Sequence, residues 1–198
     1  MMKKWVMILV ALVVLGGCTL GTEEKSGKTK SSESSKKVSE SKKAVKKAPE
    51  LVENSFDIDG TAYKIKILKK WEEHPQEEGI SFSVGNAMGS EAVLSYGLKK
   101  TDIESLEVFK EVVTDQIVST AEFDVNEDEI EKSPYQTTHY TGDLYVFTAK
   151  PDGIKVEVRY YFLETETDYV VVNVLGLPSF FQKNDETVTE ILNSFIAG

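Results

Sequence analysis

All nine phenylalanines and all eight tyrosines of this 198-residue chain lie beyond Glu50. Residues 19–50, without aromatic side chains and with few aliphatic ones, cannot bury enough apolar surface to offset their ordering entropy. Only residues 51–198 are therefore expected to build a core, and 148 residues suit one domain. That part carries 12 Lys or Arg against 28 Asp or Glu, a net charge of −16, whereas the whole chain stands at −10. So acidic a domain is a poor nucleic-acid binder; it admits cations or basic proteins as partners, and its charge serves solubility in any case.

Residues 19–50, "TLGTEEKSGKTKSSESSKKVSESKKAVKKAPE", have the opposite character, with nine Lys against five Glu and no aromatic ring. This composition predicts a disordered tether whose root-mean-square span as a flexible coil is roughly 30 Å. Its lysines also suit an anionic membrane surface.

Upstream, Lys3 and Lys4 precede eleven unbroken apolar residues, 5–15, and then Gly16 and Gly17. Eleven is too few to span a bilayer as a helix, which needs ~20. A basic head, a short apolar core and small residues make an export signal instead. The sole cysteine, Cys18, follows at once, and "LGGC" (Leu15, Gly16, Gly17, Cys18) resembles the lipobox of bacterial lipoproteins. The resemblance implies a type II signal peptidase cut before Cys18 and a diacylglyceryl thioether on its sulfur. Two acyl chains hold a protein to a membrane that one holds only reversibly. The expected division is signal peptide 1–17, lipidated Cys18 with a tether to residue 50, and one acidic domain 51–198. The expected location is the outer face of the cytoplasmic membrane, most readily in a Gram-positive cell, since Thr19 gives no sign of a Gram-negative retention signal. A single cysteine also rules out an internal disulfide.

Periodicity supplies the elements of the domain. "SFDIDGTAYKIKIL" alternates on both sides of Asp59-Gly60, predicting a hairpin with strands near 55–58 and 62–68. "GISFSVG" and "EAVLSYGL" read as two further strands. In "TDIESLEVFKEVVTDQIVST" the period changes: Ile103, Leu106, Phe109, Val113 and Ile117 trace a helical face, with Thr101 and Glu104 as a capping box. Two or three strands follow in 121–153. "IKVEVRYYFLE" and "DYVVVNVLGL" are the clearest strands, the second so continuously apolar that it belongs at the centre of a sheet. A closing helix buries Val188, Ile191, Leu192 and Phe195. The fold class expected is α+β, an antiparallel sheet of about seven strands covered by helices.

Trp71 after the first hairpin, "SFSVG" at 81–85, the helix at 102–121 and the order "YVVVNVLG", "PSFF", "VTEILNSF" resemble the PsbP-like family. That family is named for an extrinsic subunit of plant photosystem II and includes a Ran-binding import factor and bacterial lipoproteins. The resemblance implies an α/β/α sandwich and a small accessory domain without catalysis. Neither the photosystem nor the Ran role carries over, because no manganese- or calcium-related residues match and a Ran partner is absent outside a cell.

Chemistry-bearing motifs are few. The two histidines, His74 in the polar turn "WEEHPQEEG" and His139 in the expected strand "YQTTHYTG", stand 65 residues apart, and no phosphate-binding glycine loop or HExxH occurs. The glycines of "VGNAMGSEA" either let a ligand approach the backbone or make a tight hairpin, and Ser90 with His139 is a serine-hydrolase pair only on paper. Asp124, Asn126 and Asp128 occupy the first, third and fifth places of an EF-hand loop, but Glu129 stands where Gly belongs and Tyr135 where the bidentate Glu belongs, so they are a weak Ca²⁺ candidate. No cofactor is expected.

The candidate binding surface is Phe180, Phe181, Arg159 and Trp71. One Phe is expected in the core and the other exposed to a partner; Arg159, the only arginine, is set either for a bound carboxylate or for an internal salt bridge; Trp71 caps the core edge. Asn173 either buries a hydrogen bond or lies on a groove face. The function expected is a membrane-anchored, non-catalytic binding or accessory module that presents a surface to an envelope protein, a wall polymer or a small ligand, with no nucleic acid. The competing readings are a cell-surface hydrolase using carboxylates or a Ser/His site, and a structural role in envelope stability.

Overall fold

The computed structural model describes residues 49–121 and 123–198. The signal segment, Leu15, Gly16, Gly17, Cys18 and the tether as far as residue 48 lie outside the described residues.

The first hairpin pairs β1 (Leu51–Ile58) with β2 (Thr61–Leu68) in the register Ile58↔Thr61. Asp59 (φ 48°) and Gly60 (φ 83°) both take left-handed backbone, the requirement of the tight turn whose twist matches paired strands. The Gly60 N–H donates to Asp57 Oδ1 at 2.6 Å. The hairpin does not join the main sheet. It forms a separate three-stranded sheet, β1-β2-β10, with the short C-terminal strand β10 (Ile196–Ala197).

The main sheet has seven antiparallel strands in the order β3-β4-β5-β9-β8-β7-β6. They are β3 (Glu72–Glu73), β4 (Phe82–Gly85), β5 (Glu91–Lys99), β6 (Glu131–Gln136), β7 (Thr141–Ala149), β8 (Val156–Glu164) and β9 (Asp168–Gly176). β9 is the middle strand, as its apolar run requires: Val170, Val172 and Val174 face one core and Val171 the other, all fully buried. Tyr160 and Tyr161 likewise point to opposite faces.

One face is covered by the first hairpin and by α2 (Pro178–Asn193), which buries Phe180, Phe181, Val188, Ile191 and Leu192. Ser194 caps α2 and ties it to the hairpin: its hydroxyl donates to Ile191 O (2.6 Å) and accepts the Lys66 N–H (2.7 Å). Phe195 follows, buried and stacked on Tyr63 with ring centroids 5.0 Å apart. The opposite face is covered by α1 (Leu106–Ser119), whose Phe109, Val113 and Ile117 are buried over Phe162 and Tyr169. Lys110, also buried on α1, bridges Glu107 and Asp143 of β7 at 2.6 Å each. Burial alone would lower its pKa; the two carboxylates prevail and raise it. The result is an α+β fold, a seven-stranded antiparallel sheet between helical layers.

Two local expectations are corrected. Thr101 and Glu104 form no capping box: the Thr101 hydroxyl bonds Asp102 Oδ1, and α1 starts later, with Ser105 Oγ accepting the Val108 N–H at 3.3 Å. His139 lies in the turn between β6 and β7 rather than in a strand.

Candidate functional site: an apolar cavity on the α1 face

Residues of β4, β5, β9 and β8 that are opposite one another in the sheet share a face. Ser83 pairs with Leu94, Leu94 with Asn173, and Asn173 with Tyr160, giving one row across four strands on the α1 side. The neighbouring row toward the strand ends nearer α2 runs Gly85, Ala92, Leu175, Val158. α1 packs over the rows on the other side of Asn173, at Phe162 and Tyr169. Beyond the helix, loops supply the cover, and a narrow cavity of about 60 Å³, measured as the space open to the centre of a water-sized molecule, remains between them and the sheet.

Ala92, Leu94, Leu175, Val158, Val156 and Ala149 make the floor. Ile80 and Phe123, both buried, contribute to the walls, with Pro75, Gly89 and Pro151. The loop before β4 is held by His74 N–H to Ser83 O (2.9 Å), Ile80 N–H to Glu77 O (3.0 Å) and Ser81 N–H to Ser95 O (2.9 Å). Gly85 lets the His74 imidazole lie against the strand, because a Cβ there would stand 2.6 Å from His74 Cε1 and 2.5 Å from Glu91 O. The 86–90 turn is closed by Asn86, whose amide donates to Ser90 Oγ and accepts the Ser90 N–H, both at 3.0 Å.

The polar lining consists of His74, Glu77, Ser83 and Asn173. Asn173 is 5% exposed and Ser83 8%. The Asn173 amide makes a single long bond, Nδ2 to Arg159 O at 3.4 Å, and its oxygen has no partner among the described residues. The Ser83 hydroxyl has none either among them. Neither oxygen is sealed from solvent, so each can take a hydrogen-bond partner from outside the chain. A mostly apolar concavity with a few inward polar groups is the usual form of a small-molecule site.

The sequence-based candidates fall elsewhere. Phe180 and Phe181 are 4% and 2% exposed, so the expectation that one would be offered to a partner is corrected: α2 turns both rings into the core, edge to face at 5.1 Å. Trp71 is also buried, 6.1 Å from the Phe180 ring. Arg159 makes the internal salt bridges, to Glu157 Oε1 and Asp185 Oδ1 at 2.8 Å, and lies 4.1 Å over the Phe181 ring. Those carboxylates outweigh its burial and hold its pKa above the ordinary value. The cation clamps α2 to β8. The Tyr161 phenol nearby is pushed up by burial to about 12.

Ser90 and His139 stand at opposite ends of the sheet, since Glu91 pairs across β9 and β8 toward the Thr148 end of β7 while His139 precedes Thr141 at its other end. No Ser–His site forms. Asp124, Asn126 and Asp128 build no ligand loop: Asn126 donates its backbone and side-chain N–H groups to Glu129 Oε2 at 2.9 and 3.0 Å, starting a short 3₁₀ turn. Those bonds lower the Glu129 pKa. Among the described residues no group of three His, Cys, Asp or Glu could hold a metal ion. No helix among them is long and apolar enough to cross a membrane. Sequence reasoning flagged Asn173 and the 84–92 glycines, but missed Ser83, Ile80 and Phe123, which are ordinary core residues in one dimension.

No family model matches the chain and no curated protein does. Solved structures do share its fold. The solution structure of the cyanobacterial PsbP protein, CyanoP, from Synechocystis sp. PCC 6803 superposes with a TM-score of 0.52 at 6% identity, covering 78% of this chain and 96% of that one. The crystal structure of LpqN, a Mycobacterium tuberculosis protein involved in cell envelope biogenesis, superposes with a TM-score of 0.51 at 10% identity, covering 74% and 91%. At these identities the likeness is one of fold, and the fold is PsbP-like.

Proposed function

We propose that this chain is an extracytoplasmic lipoprotein whose single domain is a non-catalytic binding module of the PsbP-like family, with the α1-face cavity as its ligand site. The observation that carries the binding role is the Asn173 side chain, 5% exposed, whose oxygen accepts from no described residue and which lines a mostly apolar concavity. The hydrolase alternative would need a nucleophile beside a base, and Ser90 is instead bonded within its own turn. The envelope context of LpqN supports a role at the cell envelope for this chain as well. Attachment rests on the residues of the lipobox, with diacylglyceryl-Cys18 as the membrane contact and an envelope protein or wall polymer within reach of the tether.

Two measurements test this. Metabolic labelling with an alkyne fatty acid should mark the native protein and vanish in Cys18→Ala; label retained in that variant removes the anchor. The full chain carrying Cys18→Ala, purified without detergent, should brighten the apolar fluorophore phenylnaphthylamine. No brightening removes the binding role.

A further inference from the structure

We infer that the cavity takes a slim aliphatic molecule without an anionic group, whose one hydrogen-bonding group, a hydroxyl, ester or amide, meets the row that carries Asn173 and Ser83. This rests on the binding role proposed above and adds the chemical class of the ligand.

The argument comes from where the polar groups stand. Ser83, Leu94 and Asn173 form the cavity row nearest α1, with Leu94 between the two polar side chains. Adjacent strands are about 4.8 Å apart, so the two backbones stand roughly 10 Å from each other and a ligand group meets one polar side chain or the other. The Asn173 amide offers an acceptor and a donor beside the one given to Arg159 O, and the Ser83 hydroxyl one donor and an acceptor, a set matched to a neutral polar group. Ala92, Leu175, Val156 and Ala149 offer no polar side chain and suit an aliphatic body.

Charge narrows the class further. No lysine or arginine lines the cavity among the described residues, and the charged side chain in its lining is Glu77, which is half-buried. A carboxylate or phosphate in the cavity would be an anion with no lysine or arginine beside it and with the Glu77 carboxylate in the same lining, which disfavours it relative to a neutral group that Asn173 or Ser83 can pair.

The test uses the full chain carrying Cys18→Ala, with phenylnaphthylamine bound, displaced at neutral pH by decanol or decanoate. Decanol should displace at about tenfold lower concentration than decanoate, one order of affinity apart. Asn173→Leu should keep fluorophore binding and reduce decanol affinity about tenfold; Ser83→Ala should do the same to a smaller degree. Unchanged melting temperatures show that both variants fold, and Ser83→Ala carries the test if Asn173→Leu does not. Displacement by decanoate as effective as by decanol overturns the inference, as does decanol affinity unchanged in the folded variants. Either result leaves the cavity a binding site of another class, whereas failure of the fluorophore to bind the parent chain overturns the binding role itself.

Discussion

The two faces of the seven-stranded sheet are made by the same strands and the same alternation, yet one is sealed at its centre by packed rings, with an open polar groove beside Arg159, and the other keeps a narrow apolar cavity. On the α2 face, the β1–β2 hairpin and a 16-residue helix lie side by side, and Phe56, Tyr63, Phe180, Phe181 and Phe195 interlock beneath them. On the α1 face, one 14-residue helix covers strands of nine residues. Those strands are about 30 Å long and a helix with its side chains is about 10–12 Å wide, so one helix leaves part of the face to loops. The cavity is what the loops fail to fill. Packing is complete at the centre of one side and leaves space on the other.

Truncations should reveal that division, and the largest effect belongs to the sealed face. Phe195→Ala removes a fully buried ring stacked on Tyr63 and should cost about 3–5 kcal/mol in urea unfolding. Leu175→Ala on the half-buried cavity floor should cost about 1 kcal/mol. Equal costs would break the comparison.

Asp168 comes next. This fully buried carboxylate accepts from Tyr63 (2.7 Å) and Thr167 (2.6 Å) and sits 3.2 Å from the Lys99 ammonium, fastening the hairpin to β9. Burial raises its pKa, but the hydrogen bonds and Lys99 prevail and hold it below the ordinary carboxylate value. A depressed folded pKa means that the stabilisation is complete above the unfolded value, near 4, and is lost as pH falls through the folded one. Asp168→Asn should therefore destabilise by about 2 kcal/mol at pH 7 and flatten the acid limb of stability against pH. An acid limb identical to that of the parent chain would assign it to other carboxylates.

The smallest effect sharpens the open face. Ser105→Ala removes the cap of α1 and should cost about 1 kcal/mol, with faster amide exchange confined to the first turn of that helix. Exchange spreading across the α2 face would show that the two layers are not independent.

Much of this was legible in one dimension because it rests on local rules. Asp59-Gly60 dictates its turn wherever the hairpin goes, the continuous apolar run of β9 marks a strand buried on both sides, and Val188, Ile191 and Leu192 are spaced for one helical face. Arg159 in so acidic a domain pointed to an internal salt bridge, and it makes two. Position within a layer was not legible. Phe180 and Phe181 are adjacent, and only the way α2 lies on the sheet turns both inward. Thr101 and Glu104 had capping-box spacing, but the helix starts at Ser105. Nor does anything near Ser83 in the chain say that it shares a row with a residue 90 positions away, since that row is set by strand order.

The sequence by itself determined where a core can form and which segments are strands and which are helices, because composition and periodicity act over a few neighbours. Tertiary structure alone decided that one face would be sealed at its centre and the other left with a cavity, because that depends on how many elements compete to cover each side. Asn173 takes its meaning from that choice: beneath a second helix it would be a polar defect in the core, and beneath loops it lines a mostly apolar cavity.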